Sequence, residues 1–395
     1  MVVYLIIVIA FCALYPLIPR KHIKWLFLAL VLALSVMAFN CKPLETDDLT
    51  RYYETLNRLR DCSFSQYLDL QADGYGNFDA SPVCGLYFFL ISKLPENNFL
   101  PAITIFVVYG GMFMILWRVA EKYKISKWYL FIGSFFLLCT YWYYDTCSGI
   151  RNGLAFGVFV ICVYFELIEK RKKIFCWIGY AATIGVHPAA VILLAVRVLS
   201  EISMRSNSSL INVITVIGIG FGASAIELLG KFFDNAFISL LLEKTENNTN
   251  RIVEFGPTTI LNIILLIMIS FLYFYTRHLL EKDGIDEDAH FFKFFGTLLV
   301  FTFGSLTSSL IFLRLVRWVI PMLGSVIIMI GFEMNKKERN NRYAINSEKS
   351  IIKANRSLYR TNERILNLVF LAFSVLNLYF LCFISTMSAA VFSFN

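Results

Sequence analysis

The sequence predicts an all-α integral membrane protein whose chain crosses the bilayer many times. Of its 395 residues, 58% are hydrophobic and only 16% are charged, which is too few polar residues to cover a water-soluble fold. The apolar residues form continuous runs of about 16 to 23 residues, long enough to cross a hydrocarbon core as helices. A β-barrel would show alternating segments of about ten residues instead.

Ten of these runs are expected to be transmembrane helices of a single membrane domain, residues 1–395. They comprise residues 2–18, 25–40, 99–117, 128–144, 149–168, 209–230, 257–276, 291–313, 314–332 and 365–384. The first run follows Met1 with neither a basic segment nor a cleavage site. We therefore interpret it as a span and not as a removable signal peptide.

Basic clusters between the runs predict the orientation. They lie at residues 20–24, 118–127, 170–173 and 333–364, and such clusters are enriched on the cytoplasmic side. Residues 333–364 are thus expected to form a basic cytoplasmic loop. Residues 41–98 then form an extracytoplasmic loop with short helices, which agrees with the acidic excess of residues 41–81, and both termini are extracytoplasmic.

Two apolar segments do not fit as simple spans. Residues 82–94 are too short, so we expect a re-entrant or interfacial helix on the outer side. Residues 174–199 are long enough for one span, but the basic clusters put both of their ends inside. Because Pro188 removes a hydrogen-bond donor near the middle, we expect two short helices with His187 and Pro188 at the turn. Broken helices at membrane depth often line a cavity, which makes this turn a candidate site.

Several functions are not indicated. The net charge of +8 comes from the clusters that set the topology, so nucleic-acid binding is not implied. No Cys or His spacing matches a metal site and no Walker A motif occurs, so we expect no metal, no cofactor and no ATP-driven pump. Asp286 and Asp288 form a D-x-D pattern, which we interpret as a solvated turn because no Rossmann-like domain surrounds it.

Three arginines are expected at the outer face: Arg151, Arg314 and Arg317. Any one of them could simply extend to the lipid headgroups. Because positive residues are disfavoured on this side, three together indicate an anionic partner. Arg314 and Arg317 are one helical turn apart and could jointly bind a phosphate. Asn152 follows Arg151 and is a further candidate for substrate binding.

The outer loop and the helix break add polar candidates. Asp47 and Asp48 are candidate catalytic residues, or alternatively solvated charges or a helix N-cap for residues 49–59. Tyr52 and Asp79 are candidate substrate-binding residues. His187 suits a general base or substrate positioner, and the alternative is a histidine bonded to a neighbouring carbonyl.

These residues resemble the EpsG family of bacterial exopolysaccharide proteins, which is related in role to the Wzy-type polymerases of capsule and O-antigen. The resemblance covers residues 40–325 and depends on short motifs in a fixed order. They are the acidic loop Asp47–Tyr53, the segment Ser81–Leu94, the IRNGLA sequence Ile150–Ala155, the segment His187–Ala190 and the segment Arg314–Pro321. Two positions depart from the family pattern, since Asn152 replaces the usual Gln and Pro188 a frequent Ser.

The resemblance implies a GT-C-like glycosyltransferase that polymerises polyprenyl-diphosphate-linked oligosaccharide repeat units at the outer face of the bacterial cytoplasmic membrane. In that role Arg151, Arg314 and Arg317 would bind diphosphate, and His187 or an outer-loop aspartate would serve the acceptor hydroxyl. Membrane lipid, flippase proteins and chain-length regulators are the implied partners. A transporter or flippase, an export-complex subunit and an O-antigen-type ligase are the alternatives.

Overall fold

The computed structural model describes residues 1–45, 47–205, 256–282, 288–307, 309–345, 352–385 and 391–392. Of the residues that the structure describes, 85% are helical and almost none lie in strands, which confirms the all-α class. The α-helices are α1 (Val2–Leu14), α2 (Ile23–Phe39), α3 (Asp48–Arg60), α4 (Phe64–Ala72), α5 (Pro82–Ser92), α6 (Phe99–Lys122), α7 (Lys127–Thr140), α8 (Tyr143–Ser148), α9 (Ile150–Val163), α10 (Lys173–Val186), α11 (Val191–Arg205), α12 (Pro257–Lys282), α13 (Ala289–Gly304), α14 (Ser309–Arg314), α15 (Ile320–Ile345) and α16 (Ile352–Tyr379). Two short strands, β1 (Cys41–Lys42) and β2 (Val391–Phe392), pair antiparallel.

Among the described residues, six helices are long and apolar enough to cross a membrane. They are Arg20–Phe39, Phe99–Lys122, Ile150–Ile168, Pro257–Glu281, Ile311–Glu338 and Arg364–Ile384. The helix Ile311–Glu338 lies at the centre of the bundle, because 94% of its most apolar stretch is buried inside the protein. The protein is therefore a multi-pass membrane protein.

Three of the predicted runs form helices that are shorter than expected. Run 2–18 ends at Leu14, two residues before Pro16, because proline has no backbone N–H to donate to the next helical hydrogen bond. Run 128–144 ends at Thr140 and its last residues enter α8. Run 291–313 breaks at a 3-10 turn, Ser305–Thr307. Run 209–230 lies outside the described residues.

The predicted break in residues 174–199 is confirmed. His187 has extended backbone (φ −150°, ψ 119°) and ends α10, and the 3-10 turn Pro188–Ala190 leads into α11. The short helix predicted within residues 82–94 is also present as α5, with Pro82 in its first turn. α5 lies against α10 at a close contact, where a Cβ atom on Gly185 would lie 2.6 Å from a methyl group of Val83.

The basic segment 333–364 differs from the expected loop, because the flanking helices extend into it. α15 continues to Ile345 and α16 begins at Ile352.

Residues 41–98 do contain the expected short helices, α3 to α5. We call the side of the protein that carries residues 41–98 the loop end. Strand β2 pairs with β1 there, so residues 391–392 share a side with residues 41–42. Which side faces outwards stays a prediction.

Asp288 corrects one interpretation made from the sequence. Its side chain is 4% exposed, accepts a hydrogen bond from Lys122 Nζ at 2.8 Å and accepts another from the Tyr123 hydroxyl. The prediction of a solvated turn is therefore wrong for Asp288, whose charge Lys122 compensates. Asp286 lies outside the described residues.

Arg197 and Glu166 form a buried ion pair that the sequence analysis did not identify. Arg197 Nε and Nη2 donate to the two carboxylate oxygens of Glu166 at 3.0 and 2.8 Å. The Tyr180 hydroxyl donates to the same carboxylate at 2.6 Å. Glu166 lies in the π-helical turn Tyr164–Ile168 that extends α9, so the pair links α11 to α9 and fixes the broken helix pair in the bundle.

Candidate functional site

Arg151 lies in the first turn of α9, where two glycines allow a close helix contact. A Cβ atom on Gly149 would lie 2.7 Å from the carbonyl oxygen of Asp145, and one on Gly153 would lie 2.6 Å from Thr146 Cγ2. Only glycine leaves room for such an approach. α8 therefore packs directly against the start of α9, beside Arg151.

Tyr52, a residue of the loop end, orients Arg151. Arg151 Nε donates a hydrogen bond to the Tyr52 hydroxyl at 3.1 Å, and the guanidinium carbon lies 5.7 Å from the centroid of the same ring. The Tyr52 ring is buried and meets Phe88 edge to face. Burial raises the pKa of Tyr52 to about 12, so its hydroxyl stays neutral at physiological pH.

Arg314 is half-buried in α14 and is electrostatically coupled to Arg151 and Asp48. Within the part of the chain that the structure describes, no carboxylate lies within 4.0 Å of Arg151 or Arg314. Two neighbouring arginines without an ion-pair partner repel each other, and an anion placed between them would remove that repulsion.

Arg317 has a different environment from Arg314. Its Nη1 donates to Asp145 Oδ2 at 2.8 Å, and its guanidinium carbon lies 3.8 Å from the centroid of the Trp142 ring. The helix begins at Ser309, before the predicted start at residue 314, and the π-helical turn Leu315–Val319 follows Arg314. The two arginines expected to bind one phosphate together thus have separate neighbours.

The predicted aspartates occupy three different places. Asp47 stands at the N-cap position of α3, but its side chain makes no capping bond. Its carboxylate accepts from the Leu44 N–H at 3.0 Å and from the Tyr144 hydroxyl. Asp48 pairs with Arg51 at the surface. Asp79 is exposed, and no described contact joins it to the arginines.

Two further predicted site residues are Asn152, at the start of α9, and His187, at the break after α10. Asn152 is half-buried beside Arg151, and its Oδ1 is buried with no hydrogen-bond partner among the described residues. The His187 side chain is 4% exposed, and its backbone N–H donates to the Thr183 carbonyl at 2.9 Å. The described contacts do not place this histidine against the arginines, so its role stays a prediction.

Asp145 and Trp142 belong to the site but were not identified as site residues from the sequence. Asp145 follows the aromatic stretch of residues 141–144 at the end of an apolar run. An ionisable residue at such a boundary is a signal for function. The aromatic stretch gave no comparable signal, because aromatic residues are common at membrane interfaces.

Together, the spans and the arginines at the loop end define a multi-pass helical membrane protein with a candidate anion-binding site. The chain belongs to the EpsG family, whose family model matches residues 24–346. The resemblance drawn from the motifs is therefore confirmed, and membership supports a general role as a Wzy-like polysaccharide polymerase. No curated protein and no solved structure matches the chain.

Proposed function

We propose that the protein lengthens a polysaccharide by glycosyl transfer between polyprenyl-diphosphate-linked oligosaccharides at the outer face of the bacterial cytoplasmic membrane. Polyprenyl diphosphate is the leaving group. The observation that supports this most directly concerns Arg151 and Arg314. The positive charge of Arg151 acts on Arg314, and neither arginine forms an ion pair with a carboxylate among the described residues.

The chemistry of the leaving group matches this pair. A diphosphate gains negative charge as its bond to the sugar breaks, and arginine donors held in place stabilise that charge. Guanidinium groups bind phosphate oxygens through two parallel hydrogen bonds, which a partly buried site strengthens. Tyr52 holds Arg151 before any ligand binds, so less ordering is needed on binding.

The position of the pair also fits a lipid-linked substrate. Arg151 opens a membrane span, and Arg314 is the fourth residue of the central helix Ile311–Glu338. Both arginines therefore lie near the membrane boundary, where a lipid diphosphate is expected. Residues 41–98 cover the same end, where the sugars of such a substrate would lie. Tyr52, Asn152 and Asp79 are the proposed sugar or headgroup contacts.

The test uses purified protein in lipid vesicles with a synthetic polyprenyl-diphosphate-linked repeat unit and no energy source. Wild-type protein should produce a ladder of longer glycans. Arg151→Ala and Arg314→Ala should each slow elongation by about 10²- to 10³-fold, as expected when one group that stabilises developing charge is lost.

Arg58→Ala is the matched control. Arg58 is also an arginine of the outer loop, but it is exposed and stacks on Tyr75, so its removal should leave elongation unchanged. If all three variants elongate the glycan at the wild-type rate, the assignment of Arg151 and Arg314 to diphosphate binding is wrong. Movement of the glycan across the membrane without lengthening would overturn the polymerase proposal in favour of a flippase.

A further inference from the structure

The short helix α8 is fixed by side-chain bonds to three other elements. Its consecutive residues contact α2, the loop before α3 and the π-helical turn of the central helix. The bonds run from the Tyr143 hydroxyl to the Leu34 carbonyl, from the Tyr144 hydroxyl to Asp47, from Arg317 to Asp145, and from Trp318 Nε1 to Thr146 Oγ1. Asp145 is therefore held in one place from several sides.

The Asp145 carboxylate is only partly engaged. Its Oδ2 accepts from Arg317 Nη1 at 2.8 Å, whereas Oδ1 accepts no hydrogen bond from the described residues, and the side chain is 19% exposed. Arg317 is itself placed over the Trp142 ring, with its guanidinium carbon 3.8 Å from the ring centroid. The arginine thus fixes the orientation of the carboxylate and leaves one oxygen free to accept a proton.

The charges around Asp145 favour a proton acceptor stronger than an ordinary aspartate. Burial raises the pKa of Asp145 and the neighbouring carboxylate of Asp47 raises it further, while Arg317 opposes both effects. Tyr141 and Cys147 are the titratable groups of its own segment that are coupled to it. An aspartate whose pKa is raised binds a proton more readily, as a base needs to.

The other aspartates are less suitable. Asp48 pairs with Arg51 at the surface, where water competes for any bond to an acceptor hydroxyl. Asp47 uses its Oδ2 for two bonds that hold the loop, to the Leu44 N–H and the Tyr144 hydroxyl. Its charge acts on Asp145 from that fixed position.

We propose that Asp145 is the base that activates the acceptor hydroxyl, an inference that rests on the proposed function. Asp145 Oδ1 takes the hydroxyl proton while the hydroxyl oxygen forms the new bond to the anomeric carbon of the donor sugar. The bond from that carbon to the diphosphate oxygen breaks, and its electron pair leaves with the diphosphate. Arg151 and Arg314 bind the leaving group, and Arg317 orients the base.

The experiment compares Asp145→Asn with wild type in the vesicle assay. The amide oxygen still accepts from Arg317, so the fold and the donor affinity should be retained, which thermal unfolding and binding of the synthetic donor would verify. Elongation should fall by about 10²- to 10⁴-fold, the range for loss of a general base. The wild-type elongation rate should rise with pH as Asp145, whose pKa is raised, loses its proton. This rise, the acidic limb of the pH–rate profile, should be absent from Asp145→Asn.

A double variant, Asp145→Arg with Arg317→Asp, separates a base from a structural ion pair. If the pair only braces α8, exchanging the charges should restore elongation, and that result would overturn the proposal. Loss of the acidic limb in His187→Ala, with the limb kept in Asp145→Asn, would assign the base to His187 instead. If Asp145→Asn elongates the glycan as fast as an active wild-type protein, Asp145 is not the base, but the proposed function stands. If the wild-type protein itself is inactive, both the base and the proposed function are wrong.

Discussion

Replacing Arg151 with lysine tests whether the planar guanidinium matters or only its charge. Lysine keeps the positive charge, but it has no Nε–H to donate to the Tyr52 hydroxyl, a bond of 3.1 Å in the structure. It also has no flat face to lie beside the Tyr52 ring. If the site recognises diphosphate through two parallel hydrogen bonds, lysine is a poor substitute.

The magnitude follows from the bonds that are lost. A hydrogen bond from a charged group contributes about 1.5 to 3 kcal/mol, and about 1.4 kcal/mol corresponds to a factor of ten in affinity. Arg151→Lys should therefore weaken donor binding by about 10- to 150-fold if one such bond is lost. Tyr52→Phe, which removes only the hydroxyl that orients Arg151, should have a smaller effect.

Calorimetric titration of the purified variants with the synthetic donor measures these losses, and the double variant measures their coupling. Because Tyr52 acts through Arg151, Arg151→Lys with Tyr52→Phe should lose little more than Arg151→Lys alone. Arg58→Lys is the control for a conservative change elsewhere in the loop end. Wild-type affinity in Arg151→Lys, or fully additive losses in the double variant, would refute the argument.

Two further predictions concern the fold. Arg197→Met should destabilise the protein by about 3 to 5 kcal/mol, because Glu166 would be left buried and charged, whereas adding Glu166→Leu should recover most of that loss. Thermal unfolding in detergent measures the stability of both variants, and an equal loss of stability in the single and double variants would contradict this prediction. In whole cells, an impermeant thiol reagent should label a cysteine at position 42 and not one at position 348, provided that the native cysteines are first replaced. The reverse pattern would overturn the predicted orientation.

The helices could be predicted from the sequence because lipid imposes a local rule. Any stretch that crosses the bilayer must be apolar and satisfy its own backbone hydrogen bonds, so composition alone identifies it. The signal for the break at His187 was equally local, because Pro188 restricts the backbone of the residue before it. The helix ends were less predictable. Ser305–Thr307 breaks an apolar run that has no proline to signal the break.

Individual residues of the candidate site could be predicted from the sequence, but the contacts between them could not. The sequence indicated Arg151 and Arg314 because positive charge is unusual at the outer face. It could not indicate that Arg317 pairs with Asp145, which is 172 positions away in the chain, because that contact depends on how the helices pack. Glu166 and Arg197 did carry a signal, since charged residues within apolar runs require partners, but only the structure shows that they are each other's partner.

The pairing of β1 with β2 has a consequence for how the protein is assembled in the cell. It joins residues roughly 350 positions apart, the kind of distant contact that forms late in folding. Phe392 of β2 also lies beside Tyr143 and Tyr144, and Tyr144 holds Asp47. The ribosome must finish residue 392, and helix α16 must be inserted, before this contact can form. A nascent chain arrested earlier would therefore expose an unfinished loop end, and membrane proteases could use that exposure to remove incomplete copies.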